Sequence, residues 1–412
     1  MQQIIAEENG NANGENYLEA IIRQGARRML ASALEKEVED FINSHKQHCD
    51  EKGHRMVVRN GYHPARTIQT GIGAIAIKQP RLDDRKLKSE ERFSSEILPK
   101  FMRKSPSLET ALPILYLQGI SSNKFPAALE AILGKDAKGL SASTIMRLKE
   151  AWTNEYEAWA ARSLEGKEYV YVWADGIYCK SRLDHEKSCL LVLIGVTPEG
   201  RKELLAVQDG MRESEQSWKE LLLDVRHRGL KKPPKLAICD GALGFQNAVD
   251  QVWGELKIQR CWFHKMGNVL DKLPECVQSK AKRMLQNMYL ADTREHALEA
   301  YEVFIATFEQ KYPKATTCLT KDKEDLFRFY DFPAEHWVHI RTSNPIESMF
   351  ATVRLRHRST KGNGTSKATL AMVFKLCQEA EKRWRRLRGF NLLQLVSDNK
   401  LFVNGVLVEN VA

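Results

Sequence analysis

The spacing of hydrophobic residues predicts both helices and strands in the first 160 residues. Between Tyr17 and Asn43 apolar residues recur every three or four positions, which is the repeat of one buried helix face. Residues 55–82 alternate apolar and polar positions around an Asn60-Gly61 turn pair, so we expect a small β-meander or hairpin there. Helical spacing then returns, and we expect helices over about 108–118, 122–133 and 141–162.

Short runs of β-branched and aromatic residues fill the middle of the chain. We expect strands over 168–174, 189–197, 203–207, 235–239 and 256–260, and helices over 214–228 and 245–253. Three hairpin-linked strands followed by helix, strand, helix and strand are the element order of a ribonuclease-H-like sheet, in which the first strand is central and the fourth lies beside it. The sequence therefore predicts an α/β fold with a mixed sheet.

Small polar residues precede two of the N-terminal helices. Ser121 or Ser122 and Ser141 are N-cap candidates, and Ser143 lies in the first turn after Ser141. A short helix, a turn and a second capped helix form a helix-turn-helix DNA reader, in which the N-terminus of the second helix meets base edges. An ordinary three-helix cluster is the alternative. Ser141 and Ser143 are candidate DNA contacts under the first interpretation.

Two Asp-Gly pairs follow predicted strands. Asp175 ends the first strand and Asp240 ends the fourth, so the two carboxylates converge if these strands are neighbours. The glycine after each aspartate lets the chain turn away sharply. Two close carboxylates need a cation between them, and the hard ions Mg²⁺ and Mn²⁺ prefer oxygen ligands. The alternative is that each Asp-Gly pair is simply a turn.

Glu347 is the candidate third carboxylate. Asn344, Pro345 and Glu347 also fit a capping box, in which the glutamate folds back on its own helix. A catalytic glutamate would instead point across to the sheet. The basic residues that follow favour this second interpretation, because they could hold a phosphodiester beside a metal. They are Arg354, Arg356, His357, Arg358 and Lys361.

The composition excludes several classes of protein. Of the 412 residues, 43% are hydrophobic and 28% are charged, as in folded globular proteins. The longest apolar run, Cys189 to Val196, is too short for a membrane helix, and we expect no secretory leader. Eight scattered cysteines without a CxxC pair indicate a reducing compartment. One cluster could in principle bind zinc, although its spacing matches no common finger: His45, His48, Cys49 and His54.

The net charge of +10 is concentrated in two segments. Residues 51–150 hold 18 basic and 10 acidic side chains, and residues 351–412 hold 12 and 4, so each segment carries +8. Residues 1–50 carry −4 and residues 151–350 carry −2. Two basic segments flanking a slightly acidic middle indicate contact with nucleic acid at the flanks, although an unevenly charged solvated surface is the alternative.

Seven motifs are spread over nearly the whole chain. They are RNGY (59–62), PRL (80–82), WADG (173–176), CDGALGF (239–245), QRCWFHKMGNV (259–269), IRTSNPIES (340–348) and RLRHRSTKGNG (354–364). Together they resemble the Mutator type of bacterial insertion-sequence transposase, a DDE enzyme. The resemblance implies a catalytic, metal-binding triad of Asp175, Asp240 and Glu347. It also identifies Cys261 and His264 as the family's C-x-x-H motif, with a supporting role.

The resemblance further implies a reaction and its partners. Two Mg²⁺ or Mn²⁺ ions per active site would serve cleavage of double-stranded DNA at terminal inverted repeats and joining to target DNA. We expect a homodimer or larger synaptic assembly, with no membrane association, in the bacterial cytoplasm at the nucleoid. Candidate DNA contacts besides the two serines are Asn344, Arg354, Arg356, Arg358, Lys361, Arg383, Arg385, Arg386 and Arg388.

We expect five parts along the chain. They are an N-terminal helical region with a small β-hairpin (1–95), a helix-turn-helix-like DNA-binding domain (96–164), the first part of the ribonuclease-H-like core (165–264), a helical insertion (265–335), and a core completion with the Glu347 helix and a basic C-terminal region (336–412). Two alternative functions remain. One is a ribonuclease-H-like nuclease without strand transfer, and the other is a non-catalytic, transposase-derived DNA-binding protein, which would need a damaged triad.

Overall fold

The structure, a computed structural model, describes residues 17–120, 124, 127–128, 142–180, 187–210, 212–254, 256–360 and 365–408. It divides into two compact units, Met1–Ile145 and Met146–Ala412. Each unit has its own β-structure.

The first unit combines a long helix with four short strands. Its elements are α1 (Tyr17–Ser44), β1 (Val58–Tyr62), β2 (Arg66–Thr70), β3 (Gly73–Ile77), β4 (Pro80–Asp83), a 3₁₀ turn (Ser89–Glu91) and α2 (Pro106–Leu117). Leu34 of α1 is buried against Ile68 and Ile77 of the strands and against Leu98. The helices predicted for Tyr17–Asn43 and for 108–118 are therefore present. Most of the helix predicted over 122–133 lies outside the described residues, which include only 124 and 127–128 of it, and Ser141 also lies outside them.

The four strands form two nested pairs. β2 and β3 pair antiparallel, and β1 pairs with β4 outside them. This confirms β-structure in 55–82, but Asn60-Gly61 is not the turn. The pair lies inside β1, where the register shifts between Arg59 and Tyr62. The tight turn joins β2 to β3, where Thr70 Oγ1 donates a hydrogen bond to the Gly73 carbonyl at 2.8 Å.

The segment with the possible zinc ligands is a polar connection. Cys49 forms an antiparallel bridge with Arg55, and the Asp50 carboxylate accepts the backbone N–H groups of Lys52 and His54. Among the described residues, the side-chain groups compact enough to hold a metal ion all lie in the second unit.

The second unit is built on a mixed sheet with helices added after it. Its first half contains α3 (Ala142–Ala160, which begins just before the unit), β5 (Tyr171–Lys180), β6 (Lys187–Val196), β7 (Lys202–Asp209), α4 (Glu215–His227), β8 (Leu236–Cys239), α5 (Leu243–Trp253) and β9 (Lys257–Arg260). The second half contains α6 (Trp262–Leu270), α7 (Glu275–Leu290), α8 (Arg294–Phe308), α9 (Pro313–Thr320), α10 (Lys323–Leu326), α11 (Trp337–Ile340), α12 (Asn344–Thr360), α13 (Ser366–Glu381), α14 (Leu393–Ser397), β10 (Phe402–Val403) and β11 (Val406–Leu407), with three 3₁₀ turns, Arg328–Asp331, Ala334–His336 and Phe390–Leu392.

The five-stranded sheet has the order β7-β6-β5-β8-β9. β5, β6 and β7 pair antiparallel in succession, whereas β8 runs parallel to β5 and β9 runs parallel to β8. The first strand of the unit is therefore central and the fourth lies beside it, as the element order predicted. Helices α6 to α10 fill most of the stretch expected to be helical, 265–335.

The central strand is longer than the sequence predicted. β5 does not end at Asp175 but continues to Lys180, because β6 pairs with it over its whole length. β8, on the other side, ends where Cys239 lies opposite Ala174. Asp175 therefore lies within a strand, one residue beyond the end of its parallel neighbour.

Helices α4 and α5 cover one face of the sheet. Trp218 of α4 is buried, and its ring meets that of Phe245 of α5 edge to face at 4.9 Å between centroids. Full burial of one such large side chain contributes on the order of 2–3 kcal/mol. The two helices also meet at their N-termini. A Cβ on Gly244 of α5 would lie 2.7 Å from the backbone nitrogen of Glu215.

We predict that Gly244→Ala destabilises the protein by about 1–3 kcal/mol, because the added methyl overpacks against backbone that cannot rotate away. Gly267→Ala is the matched control, since Gly267 is also helical and a methyl group added there would meet nothing within 4 Å. That control should gain about 0.5–1 kcal/mol from helix propensity. Denaturant unfolding followed by circular dichroism measures both changes. Equal effects of the two substitutions would contradict the close approach.

Candidate active site

Two aspartates meet at the level where β8 ends. Asp240 directly follows β8, and Asp175 lies on β5 one residue beyond the paired segment, as neighbouring strands predicted. The Ala242 N–H donates to Asp240 Oδ1 at 2.9 Å, and Gly241, with a φ of +84°, turns the chain away. Asp175 is 5% exposed. Its Oδ1 accepts the Gly176 N–H at 2.8 Å, whereas its buried Oδ2 has no hydrogen-bond partner among the described residues.

Glu347 of α12 is directed toward the sheet. Its Oε1 lies 3.1 Å from Nε2 of His264, and its Oε2 accepts a hydrogen bond from Nη1 of Arg354 at 3.2 Å. The backbone N–H of Glu347 donates to the Ser343 carbonyl, so α12 begins in regular helical geometry after Ser343. The carboxylate is thus engaged with side chains outside the first turn, which is the arrangement expected of a catalytic glutamate.

Potential metal ligands form two compact groups that share Asp175. One group is Asp175, His264 and Glu347, and the other is Asp175, Glu213 and Asp240. Within each group the ligand atoms lie within 4.8 Å of one another. Glu213, which lies between β7 and the Ser214 N-cap of α4, was not predicted from the sequence. The available signal in the sequence was its position between a predicted strand, 203–207, and a predicted helix, 214–228.

Two carboxyl groups of the second group, those of Asp175 and Glu213, resist ionisation. Burial, reinforced by the charges of Asp240 and Glu347, raises the pKa of Asp175 to about 8. Burial and then the charge of Asp240 raise the pKa of Glu213 to about 7. Clustered buried carboxylates bind a proton or a cation to relieve their repulsion. A divalent cation with oxygen ligands is therefore the natural occupant of this group.

Cys261 and His264 connect the end of β9 to the start of α12. The buried sulfur of Cys261 accepts the backbone N–H of Ser343 at 3.2 Å and its hydroxyl at 3.3 Å. Hydrogen bonds to Cys261 and then to Glu347 raise the pKa of His264 to about 10. The hydrogen bond from His264 is also the main cause that lowers the pKa of Glu347 to about 2. His264 is therefore a cation beside Glu347.

The basic residues of α12 do not share one face. Arg354 and Arg358 are exposed, and Asn344 is exposed at the start of the helix. Arg356, however, is 2% exposed, which contradicts its expected role as a surface phosphate contact. The reason is helical geometry, since successive residues are rotated by about 100° and residues two apart face nearly opposite sides.

The C-terminal arginines lie at the opposite end of the sheet from the carboxylates. Arg383, Arg385, Arg386 and Arg388 are exposed and follow α13. The intervening Leu387 donates its N–H to the carbonyl of Gly200, in the turn that joins β6 to β7. That turn follows Val196, which pairs with Tyr171 at the start of β5, about 13 Å of strand from Asp175. The structure therefore does not bring this strip together with the triad.

Three remaining candidates cannot be placed in the site. Ser141 and Lys361 lie outside the described residues, and only the backbone of Ser143, in α3, is described. Over the parts of the chain that the structure covers, none of the helices has the length and apolar character needed to cross a membrane.

Comparison with known proteins gives a consistent result. A family model described as "Transposase, Mutator family" matches residues 3–387. The chain is 51% identical over 302 residues to the transposase for insertion sequence element IS6120 of Mycolicibacterium smegmatis, covering 73% of this chain and 93% of the relative. It is 47% identical over 287 residues to the transposase for element IST2 of Acidithiobacillus ferrooxidans, covering 68% and 94%. A third relative, the transposase for element ISRM5 of Rhizobium meliloti, is 27% identical over 386 residues, covering 92% and 93%.

We predict that Asp175→Asn stabilises the metal-free protein more at pH 8.5 than at pH 5.5. The pKa of about 8 for Asp175 in the folded state lies above that of an unfolded aspartate. The free energy of unfolding of the parent therefore falls as the pH rises toward 8, because Asp175 stays protonated in the folded state while it ionises in the unfolded state. The asparagine variant lacks this loss, since asparagine does not ionise. Thermal unfolding in EDTA at the two pH values measures the difference.

The control for this experiment is Asp250→Asn, which removes an exposed carboxylate from α5. Its effect on the melting temperature should be nearly the same at both pH values. A gain from Asp175→Asn that does not change with pH would contradict the raised pKa.

Proposed function

Since the chain belongs to the Mutator family of transposases, we propose that it binds terminal inverted repeats and catalyses metal-dependent DNA cleavage and strand transfer. The observation that carries this proposal is the convergence of three carboxylates. Asp175 from the central strand forms one compact group with Asp240, from the end of β8, and a second with Glu347, from α12. The strand order β7-β6-β5-β8-β9 supports a ribonuclease-H-like core around them.

The residues fit divalent metal ions. Asp175 Oδ2 is a buried oxygen without a hydrogen-bond partner among the described residues, and carboxylate oxygens are the ligands that Mg²⁺ and Mn²⁺ prefer. Asp175, Asp240 and Glu347 would hold two such ions. Bound there, the ions supply activation of the attacking oxygen and charge stabilisation of the leaving 3′-oxygen.

The surrounding side chains position the triad and the DNA. His264 and Arg354 hold the Glu347 carboxylate between them and keep it ionised. Arg354 is half exposed, so its guanidinium can also reach a phosphate of the reacting strand. Arg358, four residues along α12, and Asn344, at its start, extend this contact surface.

Recognition of the element ends would fall to the N-terminal part of the chain. We assign it to the proposed helix-turn-helix-like domain, 96–164, which overlaps the segment 51–150 that carries the first basic surplus. The arginine strip 383–388 would hold phosphates farther from the reacting bond, because it lies at the other end of the sheet. Pairing of two element ends calls for a dimer or larger assembly, acting on DNA of the nucleoid.

We predict that Asp240→Asn abolishes Mg²⁺-dependent cleavage and joining while binding to repeat DNA stays within about twofold, since binding rests on phosphate contacts elsewhere. Cleavage and joining of a labelled element end and a gel-shift titration measure these quantities. Asp250→Asn, in helix α5 that follows Asp240, should retain both cleavage and joining. Unchanged cleavage by Asp240→Asn would contradict the triad, and hydrolysis without joining by the parent protein would favour the nuclease.

We predict that Glu347→Gln lowers cleavage by about 100-fold or more, the scale of losing one preorganised charged group. Glutamine can still cap a helix, so the variant should fold with a melting temperature near that of the parent. Circular dichroism and the cleavage assay separate the two roles. Retained activity would show that Glu347 serves only the helix.

A further inference from the structure

Glu213 lies among the metal-binding carboxylates and has no part in the triad. We propose that Glu213 is a fourth carboxylate of the metal centre, which holds one divalent ion together with Asp175 and Asp240. This inference rests on the proposed function of the same site. Its basis is that oxygens of Glu213, Asp175 and Asp240 lie within 4.8 Å of one another.

The path of the backbone brings Glu213 to this edge of the sheet. β7 runs in the same direction as β5, because both pair antiparallel with β6. Asp209 at the end of β7 lies opposite Leu190 of β6, which in turn lies opposite Ile177 of β5. The chain therefore leaves β7 at nearly the level of Asp175, and Glu213 lies four residues after Asp209, just before α4.

Two glycines make room for this arrangement. A Cβ on Gly176 would lie 3.1 Å from Oε1 of Glu213 and 3.1 Å from Sγ of Cys189. The close approach of Gly244 to the backbone of Glu215 likewise fixes the N-terminus of α4 beside the segment that follows Asp240. Gly176 directly follows Asp175, and Gly244 lies four residues after Asp240, so the first packs against Glu213 itself and the second against the two residues that follow Glu213.

An independent observation indicates that a ligand belongs here. Asp175 is 95% buried, and its Oδ2 has no hydrogen-bond partner among the described residues. An unsatisfied buried carboxylate oxygen is costly, and the neighbouring side chains of this group are carboxylates, which cannot donate when ionised. A cation shared with Glu213 and Asp240 satisfies all three side chains at once.

The division of ligands follows from the same geometry. Glu347 belongs to the group that contains Asp175 and His264, separate from the group of Glu213 and Asp240. Asp175 is thus the ligand common to both positions, the first with Asp240 and Glu213 and the second with Glu347.

The test is binding of Mn²⁺ alone, measured by isothermal titration calorimetry on the full-length protein without DNA. Glu213→Gln should weaken binding at one class of site by about tenfold or more, the scale expected when a metal-site group is lost. Glu220→Gln is the matched control, since it makes the same chemical change at an exposed position of α4. The control should bind Mn²⁺ within about twofold of the parent.

A second measurement, of melting temperatures, tests whether the Glu213→Gln protein is folded. In EDTA the melting temperature of Glu213→Gln should equal or exceed that of the parent, because a half-buried carboxyl among other carboxylates is replaced by a neutral group. The rise in melting temperature on adding Mn²⁺ should be smaller than in the parent. Gly176→Ala, which displaces the Glu213 carboxylate without removing it, should weaken Mn²⁺ binding in the same direction.

Parent-like Mn²⁺ binding by both Glu213→Gln and Gly176→Ala would overturn the inference. If the parent also cleaves element ends in that case, the proposed function stands and only the role of Glu213 falls. If the parent neither binds Mn²⁺ nor cleaves DNA, the inference and the proposed function fall together.

Discussion

The electrostatics of the candidate site depend on the repulsion between carboxylates gathered around a buried strand. Asp175 lies in the middle of β5, where it pairs with Val192 of β6 just beyond the end of β8, and its side chain lies close to Asp240 and Glu213. Burial of such charges is unfavourable without a counterion. On the Glu347 side the protein supplies its own cations, since His264 and Arg354 both lie within 3.2 Å of that carboxylate. Glu213 has no comparable cationic partner among the described residues, and under the proposed function an external cation would take that place.

The C-x-x-H motif links this electrostatic balance to the fold. Cys261 receives both the N–H and the hydroxyl of Ser343, the residue immediately before α12, and His264 one helical turn later meets Glu347. A sulfur atom and an imidazole thus fix the start of the helix and the direction of its glutamate. From spacing alone, Cys261 and His264 are a buried cysteine and an isolated histidine, and only the resemblance to transposases indicated their supporting role.

The sequence predicted those features that depend on local pattern and chain connectivity. The strand order followed from the succession of hydrophobic runs, and the meeting of Asp175 with Asp240 followed from that order. Features that depend on the three-dimensional path were not predicted. Glu213 is close to the aspartates only because β7 ends level with Asp175 and α4 packs against Gly244. Arg356 is buried because of its place on the helix circumference, which a count of basic residues ignores. The extension of β5 beyond Asp175 reflects pairing with a partner strand, not its own composition.

The unequal lengths of the strands leave a step in the sheet. β5 and β6 are ten residues long, whereas β8 and β9 are four, so the sheet narrows from five strands to three at the level of Asp175. About 20 Å of β5 continues past the end of β8. A substrate can approach reactive groups at such a step from the side, along the ends of the shorter strands. These groups therefore need not lie at the bottom of a closed cavity. A centre of this shape can act at an internal bond of a long polymer, without first requiring a free end to thread into it.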